Sequence, residues 1–364
     1  MKLFVVTDMH FLSPALTDNG APFIRMLERG DGKLSEYSVR LAAALEKRVI
    51  TERPDALVIA GDLTFNGERK SLEDLSVILG RVKDSGIPVL VIPGNHDIAY
   101  PQAYCYRGTK AYRVENLDSA AFRSVCGCFG YGDAAERDAE STSYYYPLGE
   151  DRAILFLDAN TEKSPGAVLP GTLAWAEDVL VRAKSRGIRV ISVTHQNVLA
   201  QNPLITKGFI LENAAETERV LRLGGVRLNL SGHSHLHHTA VKDGLTDHCT
   251  GAFSAAPFRF TIVSAEPGEE ERLHTGSLGI LEREGRERVR ASVLRQAERG
   301  LEGLVLTDGE REKLLDFAVR FNTAYFAGNA DLSPMKEEPA WKLWREKGKG
   351  SFWLSYMGSV LSDK

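Results

Sequence analysis

Long apolar stretches are missing from this chain of 364 residues. No run approaches the ~18 consecutive apolar residues that a membrane-spanning helix needs, so we expect no membrane segment. Residues 1–6 lead directly into a polar cluster, which leaves no room for the charged, apolar and cleavage regions of a secretory signal. The sequence therefore predicts a cytoplasmic protein.

Cysteine is scarce, with four residues in the whole chain, too few for a disulfide framework at this length. The spacing Cys126-Gly127-Cys128 also lacks the two intervening residues typical of redox and zinc motifs. Basic charge is not in excess either. The net charge of −4 argues against a large nucleic-acid surface, although a local basic groove is still compatible with it.

Short apolar runs alternate with helical patterns along most of the chain. Helical patterns cover 37–51 and 72–85, and this alternation predicts an α/β fold with parallel crossovers. Further strands at 249–263 and 275–282 are expected to add antiparallel partners to a second sheet. The apolar runs that predict buried strands are 3–7, 56–60, 89–92, 153–157, 190–193 and 227–230.

Polar clusters directly follow five of these apolar runs, and all of their donors are oxygen or imidazole nitrogen. Ligands of open α/β sheets bind outside the carboxyl ends of the strands, so the clusters can converge on one rim. The clusters read Asp8-Met9-His10, Gly61-Asp62, Gly94-Asn95-His96-Asp97, Thr194-His195 and Gly232-His233-Ser234-His235.

This donor chemistry indicates a site for two first-row divalent metals, the standard device for displacement at phosphorus. In an extended strand end, residues i and i+2 point the same way, so Asp8 and His10 are expected to face one point, as are His233 and His235. A glycine before Asp62 permits a tight turn that lets the carboxylate reach between two ions. Each cluster alone is a weak signal, but the ordered set predicts a dinuclear metallophosphoesterase.

The order and spacing of the clusters resemble the calcineurin-like metallophosphoesterase family. Its pattern is Asp-x-His, Gly-Asp, Gly-Asn-His-Asp/Glu, His and Gly-His-x-His, and no ligand position departs from it. The resemblance covers about residues 1–265. It implies a four-layer α/β/β/α sandwich of two mixed β-sheets flanked by helices.

The resemblance also implies how two metals are held, with Asp62 and a water-derived hydroxide bridging them. That hydroxide would attack phosphorus in line while the metals neutralise phosphoryl charge. The donors suit manganese, iron, zinc or cobalt without selecting among them. One ion would bind Asp8, His10, Asp62 and His235, and the other would bind Asp62, Asn95, His195 and His233.

Two neighbouring residues are candidates for catalytic roles. His96 belongs to the family pattern without being a ligand, and it is the candidate to protonate the leaving oxygen or stabilise the transition state. Asp97 either orients and charge-tunes the His96 imidazole or caps the turn into the following loop.

Other segments resemble the bacterial class III cyclic-nucleotide phosphodiesterase-like subgroup. They are His195-Gln196-Asn197, residues 251–257 and residues 321–328. The expected substrate is a small phosphoester, a phosphodiester by preference and a cyclic nucleotide among the candidates. The sequence leaves three other functions open on the same metal centre, namely a phosphomonoesterase, a protein phosphatase and a nuclease. A non-catalytic binding scaffold is disfavoured because no ligand is missing, and the sequence is silent on oligomeric state.

Helical patterns dominate from about Ala297 onward. Thr307-Asp308-Gly309-Glu310 fits a capping box, and apolar residues follow it at helical spacing. We predict a metallophosphoesterase domain at 1–296 and a small helical C-terminal unit at 297–364. The mixed charges at 282–299 are typical of a solvated surface.

Overall fold

The computed structural model describes residues 1–328 and 331–361. The strands are β1 (Lys2–Val6), β2 (Ala56–Ala60), β3 (Val89–Ile92), β4 (Tyr104–Arg107), β5 (Lys110–Arg113), β6 (Glu136–Arg137), β7 (Tyr144–Pro147), β8 (Arg152–Phe156), β9 (Asn160–Thr161), β10 (Ser164–Pro165), β11 (Arg189–Val193), β12 (Leu228–Ser231), β13 (His238–Lys242), β14 (Leu245–Cys249), β15 (Arg259–Ser264) and β16 (Arg272–Ser277). The helices are α1 (Ala21–Arg29), α2 (Ser38–Glu52), α3 (Arg69–Asp84), α4 (Ser119–Cys126), α5 (Pro170–Ser185), α6 (Ala214–Leu223), α7 (Glu282–Gly300), α8 (Asp308–Phe326), α9 (Pro339–Lys347) and α10 (Phe352–Leu361).

Two mixed sheets form the centre of the fold. The five-stranded sheet has the order β16-β15-β1-β2-β3, and the seven-stranded sheet has the order β13-β14-β12-β11-β8-β7-β6. β1, β2 and β3 are parallel, as are β8, β11, β12 and β14. The outer strands β15 and β16 on one sheet, and β6, β7 and β13 on the other, pair antiparallel. The predicted parallel crossovers are therefore confirmed.

The seven-stranded sheet lies between two layers, as its alternating side chains show. Ile154 and Phe156 of β8 belong to the same core as Phe4 of β1 and the inner faces of α2 and α3. Ala153 and Leu155 instead pack with α5 and α6. Because successive strand residues point to opposite faces, one face meets the five-stranded sheet and the other meets helices. The predicted four-layer sandwich is confirmed.

The single strand predicted at 249–263 is wrong. β14 ends at Cys249 and β15 begins at Arg259, and a loop with a cis Ala256–Pro257 peptide connects them. The apolar Phe253 is buried in this loop, and its backbone N–H donates to the Thr7 carbonyl at 3.0 Å. Burial against the end of β1, rather than strand pairing, explains the apolar run. The strand predicted at 275–282 likewise ends at Ser277.

The C-terminal helices surround a third core, and the chain becomes helical earlier than predicted. α7 begins at Glu282 rather than near Ala297. The sequence pattern did not reveal this helix because only a narrow stripe, which includes Gly285, Val293 and Ala297, is buried on an otherwise charged helix. The capping box of Thr307 and Glu310 at the start of α8 is confirmed. Residue 297 lies inside α7, and the division of the chain into 1–296 and 297–364 stays a prediction.

Within residues 1–328 and 331–361, the structure contains no helix that is both long and apolar enough to cross a membrane.

Candidate metal centre

Each predicted ligand cluster lies just beyond the carboxyl end of a strand. Asp8 and His10 follow β1, Asp62 follows β2, and 95–97 follow β3 of the five-stranded sheet. His195 follows β11, and 233–235 follow β12 of the seven-stranded sheet. The rims of the two packed sheets thus meet at one place.

A left-handed backbone conformation directs these side chains. Asp8, His10, Asp62, His233 and His235 all have φ between 43° and 66°, a region that residues other than glycine rarely adopt. The expectation of an extended strand end at Asp8, His10, His233 and His235 is therefore wrong. The backbone N–H groups of Asp8 and His10 donate to carbonyls after β2 at 3.1 and 3.0 Å. Such strain persists where the surrounding structure enforces it, as at functional sites.

The first ligand group contains Asp8, His10 and His235. His235 Nε2 lies 3.3 Å from Asp8 Oδ1 and 3.4 Å from His10 Nε2. Asp8 Oδ2 accepts from the Thr7 hydroxyl and the His233 N–H, whereas the buried Oδ1 has no hydrogen-bond partner among the described residues. A buried carboxylate oxygen without a donor, surrounded by imidazole nitrogens, is suited to a cation.

The second ligand group contains Asp62, His195 and His233, with Asn95 beside it. His195 Nε2 lies 3.3 Å from Asp62 Oδ1 and 3.1 Å from Asn95 Oδ1. His195 Nδ1 donates to the Ala60 carbonyl at 2.8 Å, which leaves Nε2 as its ligand atom. His233 Nε2 donates to the Gly208 carbonyl at 2.7 Å, so Nδ1 is the nitrogen left to face the group.

Asp62 connects the two groups. Its Oδ2 lies 3.7 Å from His10 Nε2 in the first group, and its Oδ1 faces His195 in the second. Burial raises the pKa of Asp62, but the neighbouring His195 and His96 imidazoles outweigh it and hold that pKa well below its usual range. Burial lowers the pKa of His195, but the Asp62 carboxylate raises it to about 9. Asp62 is thus ionised and forms an ion pair with the His195 imidazolium, whose proton a metal ion would replace.

Two glycines permit this close packing. A Cβ on Gly94 would overlap the Asp62 amide nitrogen and lie 2.8 Å from His195 Nε2. A Cβ on Gly232 would overlap the Thr7 hydroxyl and lie 2.8 Å from Asp8 Oδ2. Glycine is needed here because the loops approach each other, a reason separate from turn geometry.

His96 lies beside both groups and forms a cluster with His10 and Asp62. Its Nδ1 donates to Asn66 Oδ1 at 2.9 Å and to the Phe65 carbonyl at 3.0 Å. Its ring stacks on Tyr100 with 4.3 Å between centroids. The imidazole is therefore held in one orientation, with Nε2 as its remaining nitrogen.

The carboxylate of Asp97 connects two loops. It accepts from the N–H groups of Leu63, Thr64 and Gly94 and from the Thr64 hydroxyl, at 2.7–3.0 Å. Burial and the neighbouring Asp62 charge raise the pKa of Asp97 to about 6. These contacts favour the turn-capping alternative, and the His96 Nδ1 atom is held by Asn66 and the Phe65 carbonyl instead of by Asp97. Sequence reasoning missed Asn66, which shares no spacing motif with His96.

Asp31 and Lys33 are two more residues of the site that sequence reasoning missed. Asp31 Oδ2 lies 3.5 Å from His235 Nδ1, and Lys33 Nζ lies 3.4 Å from His10 Nε2. Both lie in the loop between α1 and α2. No motif marks that loop, and tertiary packing alone brings it to the metal ligands.

Two groups of nitrogen and oxygen donors that share one carboxylate, at the rim of a four-layer sandwich, define a dinuclear metal centre of the metallophosphoesterase type. Residues 1–237 match the calcineurin-like phosphoesterase family, and the chain belongs to that family. Residues 285–364 match the C-terminal domain of cyclic nucleotide phosphodiesterase.

The curated relatives agree with the predicted subgroup resemblance. A "probable cyclic nucleotide phosphodiesterase" of Fibrobacter succinogenes is 26% identical over 197 residues, which cover 54% of this chain and 63% of that protein. Another, from Psychrobacter arcticus, is 22% identical over 254 residues, which cover 69% of this chain and 79% of that protein. Less than two thirds of the Fibrobacter protein is thus matched.

A crystal structure of a dimetal phosphatase from Danio rerio has the same fold, with a TM-score of 0.57 at 14% identity. The match covers 76% of this chain and 96% of that protein.

Proposed function

We propose that the chain hydrolyses phosphodiesters at a two-metal centre and that cyclic nucleotides are among its substrates. The observation that carries the proposal is the buried Asp62 carboxylate between two groups of metal-type donors. The names of the two curated relatives and the match at 285–364 support the cyclic-nucleotide part. The cytoplasmic location predicted from the sequence belongs to the same proposal.

The donor sets fit two first-row metal ions. The Asp8 Oδ1 atom without a hydrogen-bond partner among the described residues and the lack of sulfur among the ligands both suit manganese, iron, zinc or cobalt. When bound, the ions supply positive charge at the phosphoryl group and lower the pKa of water. One ion would be held by Asp8, His10, Asp62 and His235, and the other by Asp62, Asn95, His195 and His233.

His96 supplies the proton that the leaving oxygen needs. Because Asn66 and the Phe65 carbonyl occupy Nδ1, the proton would be passed from Nε2 of the imidazolium, a form that burial disfavours by lowering the pKa of His96. Stacking on Tyr100 prevents ring rotation. Asp97 maintains this arrangement by fixing the 62–64 and 94–97 loops to each other.

Cavities on both sides of the centre support a diester substrate. A cavity of about 610 Å³ lies on the His96 side, with Lys33 and Tyr100 among its walls. A cavity of about 300 Å³ lies on the side of His233 and His235, with Phe209 on its wall. An open diester has two organic substituents, one for each side of the phosphoryl group, whereas the two ester oxygens of a cyclic nucleotide belong to one ribose, which needs only one of the two cavities.

The testing experiment compares bis(p-nitrophenyl) phosphate with p-nitrophenyl phosphate, using manganese-loaded protein before and after chelation. Chelator-sensitive turnover that favours the diester is expected, followed by turnover in a panel of 3′,5′- and 2′,3′-cyclic nucleotides. Preference for the monoester would instead identify a phosphatase. Absence of all turnover in protein with two bound metals would overturn the proposal.

A further inference from the structure

We propose that Lys33 binds a phosphoryl oxygen of the substrate and that helix α7 of the C-terminal region holds it in place. Lys33 Nζ lies 3.4 Å from His10 Nε2, and the side chain is only 13% exposed. It also lines the cavity on the His96 side. The inference rests on the proposed function and adds a substrate contact that the metal-ligand pattern does not contain.

The charges around Lys33 point to an anionic ligand. Among the described residues, Asp31 is the carboxylate that forms an ion pair with Lys33, at 3.4 Å. The same carboxylate also lies 3.5 Å from His235 Nδ1, so its charge is divided between two partners. An ammonium group has three donors, and this one lies beside a ligand of a proposed two-cation centre. With metals bound, repulsion between these cations is relieved by an anion that contacts both. A substrate phosphoryl group provides such an anion.

The backbone of the loop is fixed from two sides, which gives Lys33 a defined position. On one side, the Leu34 N–H donates to the Ser254 carbonyl at 2.8 Å. On the other side, α7 contributes three donors to the loop carbonyls. Arg288 donates to the Lys33 carbonyl at 3.3 Å, and Ser292 and Arg295 donate to the Gly30 carbonyl at 3.0 and 3.2 Å.

These contacts give the C-terminal region a direct role at the metal centre. Arg288 of α7 lies 255 residues after Lys33 in the chain, yet it donates to the carbonyl of Lys33 itself. Removal of these donors should loosen the loop without touching any proposed metal ligand. The role of α7 is therefore to fix the position of Lys33.

The test uses Lys33→Met, Lys33→Arg and, as matched control, Lys47→Met on the exposed face of α2. Three quantities are measured on manganese-loaded protein. They are the metal content, the affinity for inorganic phosphate by calorimetry, and kcat/KM for bis(p-nitrophenyl) phosphate.

Lys33→Met is expected to keep both metals while phosphate affinity and kcat/KM fall by about 10- to 100-fold, the usual loss of a charge-assisted hydrogen bond. Lys33→Arg should recover part of the phosphate affinity and part of kcat/KM, and Lys47→Met should resemble the unmodified protein. Unchanged phosphate affinity in Lys33→Met would overturn the proposal. The proposal would also be overturned if Lys33→Met lost metal while the protein molecules that kept both metals bound phosphate with normal affinity.

Phosphate binding does not require turnover, so this arm is separate from the proposed function. Failure of the unmodified protein to cleave any ester would refute the proposed function, while a phosphate affinity that depends on Lys33 would still support the contact.

The role of α7 is tested by the double variant Ser292→Ala/Arg295→Met. It is expected to weaken phosphate binding by a fraction of the Lys33→Met effect and to have no further effect in the Lys33→Met background. Full additivity of the two changes would show that α7 does not act through Lys33 and would overturn that part of the proposal.

Discussion

The imidazole of His195 and the carboxylate of Asp62 meet at 3.3 Å although they follow strands of different sheets. Both side chains are buried, and the His195 ring also donates to Ala60, the last residue of β2. The contact exists only when the two sheets are packed face to face. The metal centre is therefore complete only when the two sheets are packed against each other.

Asp62→Asn should abolish retention of both metals, because this carboxylate lies within reach of both ligand groups and an amide has no charge to offer them. We expect metal affinity and kcat each to fall by at least about 100-fold. The metal content after dialysis and the diester turnover measure this. Asp178→Asn, on an exposed position of α5, is the control, and full activity in the Asp62 variant would contradict the dinuclear site.

His96→Ala should retain the metals and slow turnover by about 10²- to 10⁴-fold. If His96 protonates the leaving oxygen, the loss is larger for an alkyl ester, whose leaving group needs the proton, than for a nitrophenyl ester. Rates for a series of leaving groups test this. Asn66→Ala should show a weaker form of the same trend, since Asn66 accepts from His96 Nδ1. An equal loss for every leaving group would exclude the acid role.

Glu68 should make the protein less stable as pH rises. Burial raises the pKa of Glu68 to about 7, above its value of 4.5 in the unfolded chain. The folded state therefore holds this proton more tightly, and stability falls between those two pH values by at most about 3 kcal/mol.

Glu68→Gln removes that titration, so its free energy of unfolding relative to the unmodified protein should rise between about pH 5 and about pH 8. Urea unfolding at the two pH values measures the difference. If the difference in free energy of unfolding between the two proteins were the same at both pH values, Glu68 would already be ionised in the folded state at the lower pH.

Trp344→Ala should reduce the free energy of unfolding by about 3–5 kcal/mol. Trp344 is completely buried in the third core, and its indole N–H donates to the Leu314 carbonyl at 3.1 Å. Phe352→Ala is the control, because Phe352 is 61% exposed and should change stability by less than about 0.5 kcal/mol.

Activity should fall together with the stability of this core, since α7 contributes Val293 and Ala297 to it and also holds the Lys33 loop. Unfolding of the third core with unchanged diester turnover would show that the C-terminal region is dispensable for catalysis.

The strands and the donor types could be read from the sequence. Predicted runs at 56–60 and 89–92 coincide with β2 and β3, and the other strands that carry ligands differ by about one residue at their ends. Apolar runs of this length are buried wherever they lie, and polar residues directly after them must then meet at the sheet rim. That reasoning depends only on local pattern, and the structure brings side chains of the predicted clusters close to one another.

Local pattern could not show what depends on distant packing. The left-handed conformations of Asp8 and His10 accompany hydrogen bonds to the loop after β2, and neither residue type predicts them. The contact of Asn66 with His96 joins segments 30 residues apart. The early start of α7 was hidden because charged residues surround its buried stripe.

The sequence by itself therefore determined the strands, the donor chemistry and the order of the predicted ligand clusters, since these follow from hydrophobic periodicity and residue type. Only the tertiary structure decided which residues surround the ligands. Lys33 reaches His10 because Ser254 and α7 hold its loop, and such contacts depend on packing between segments far apart in the chain.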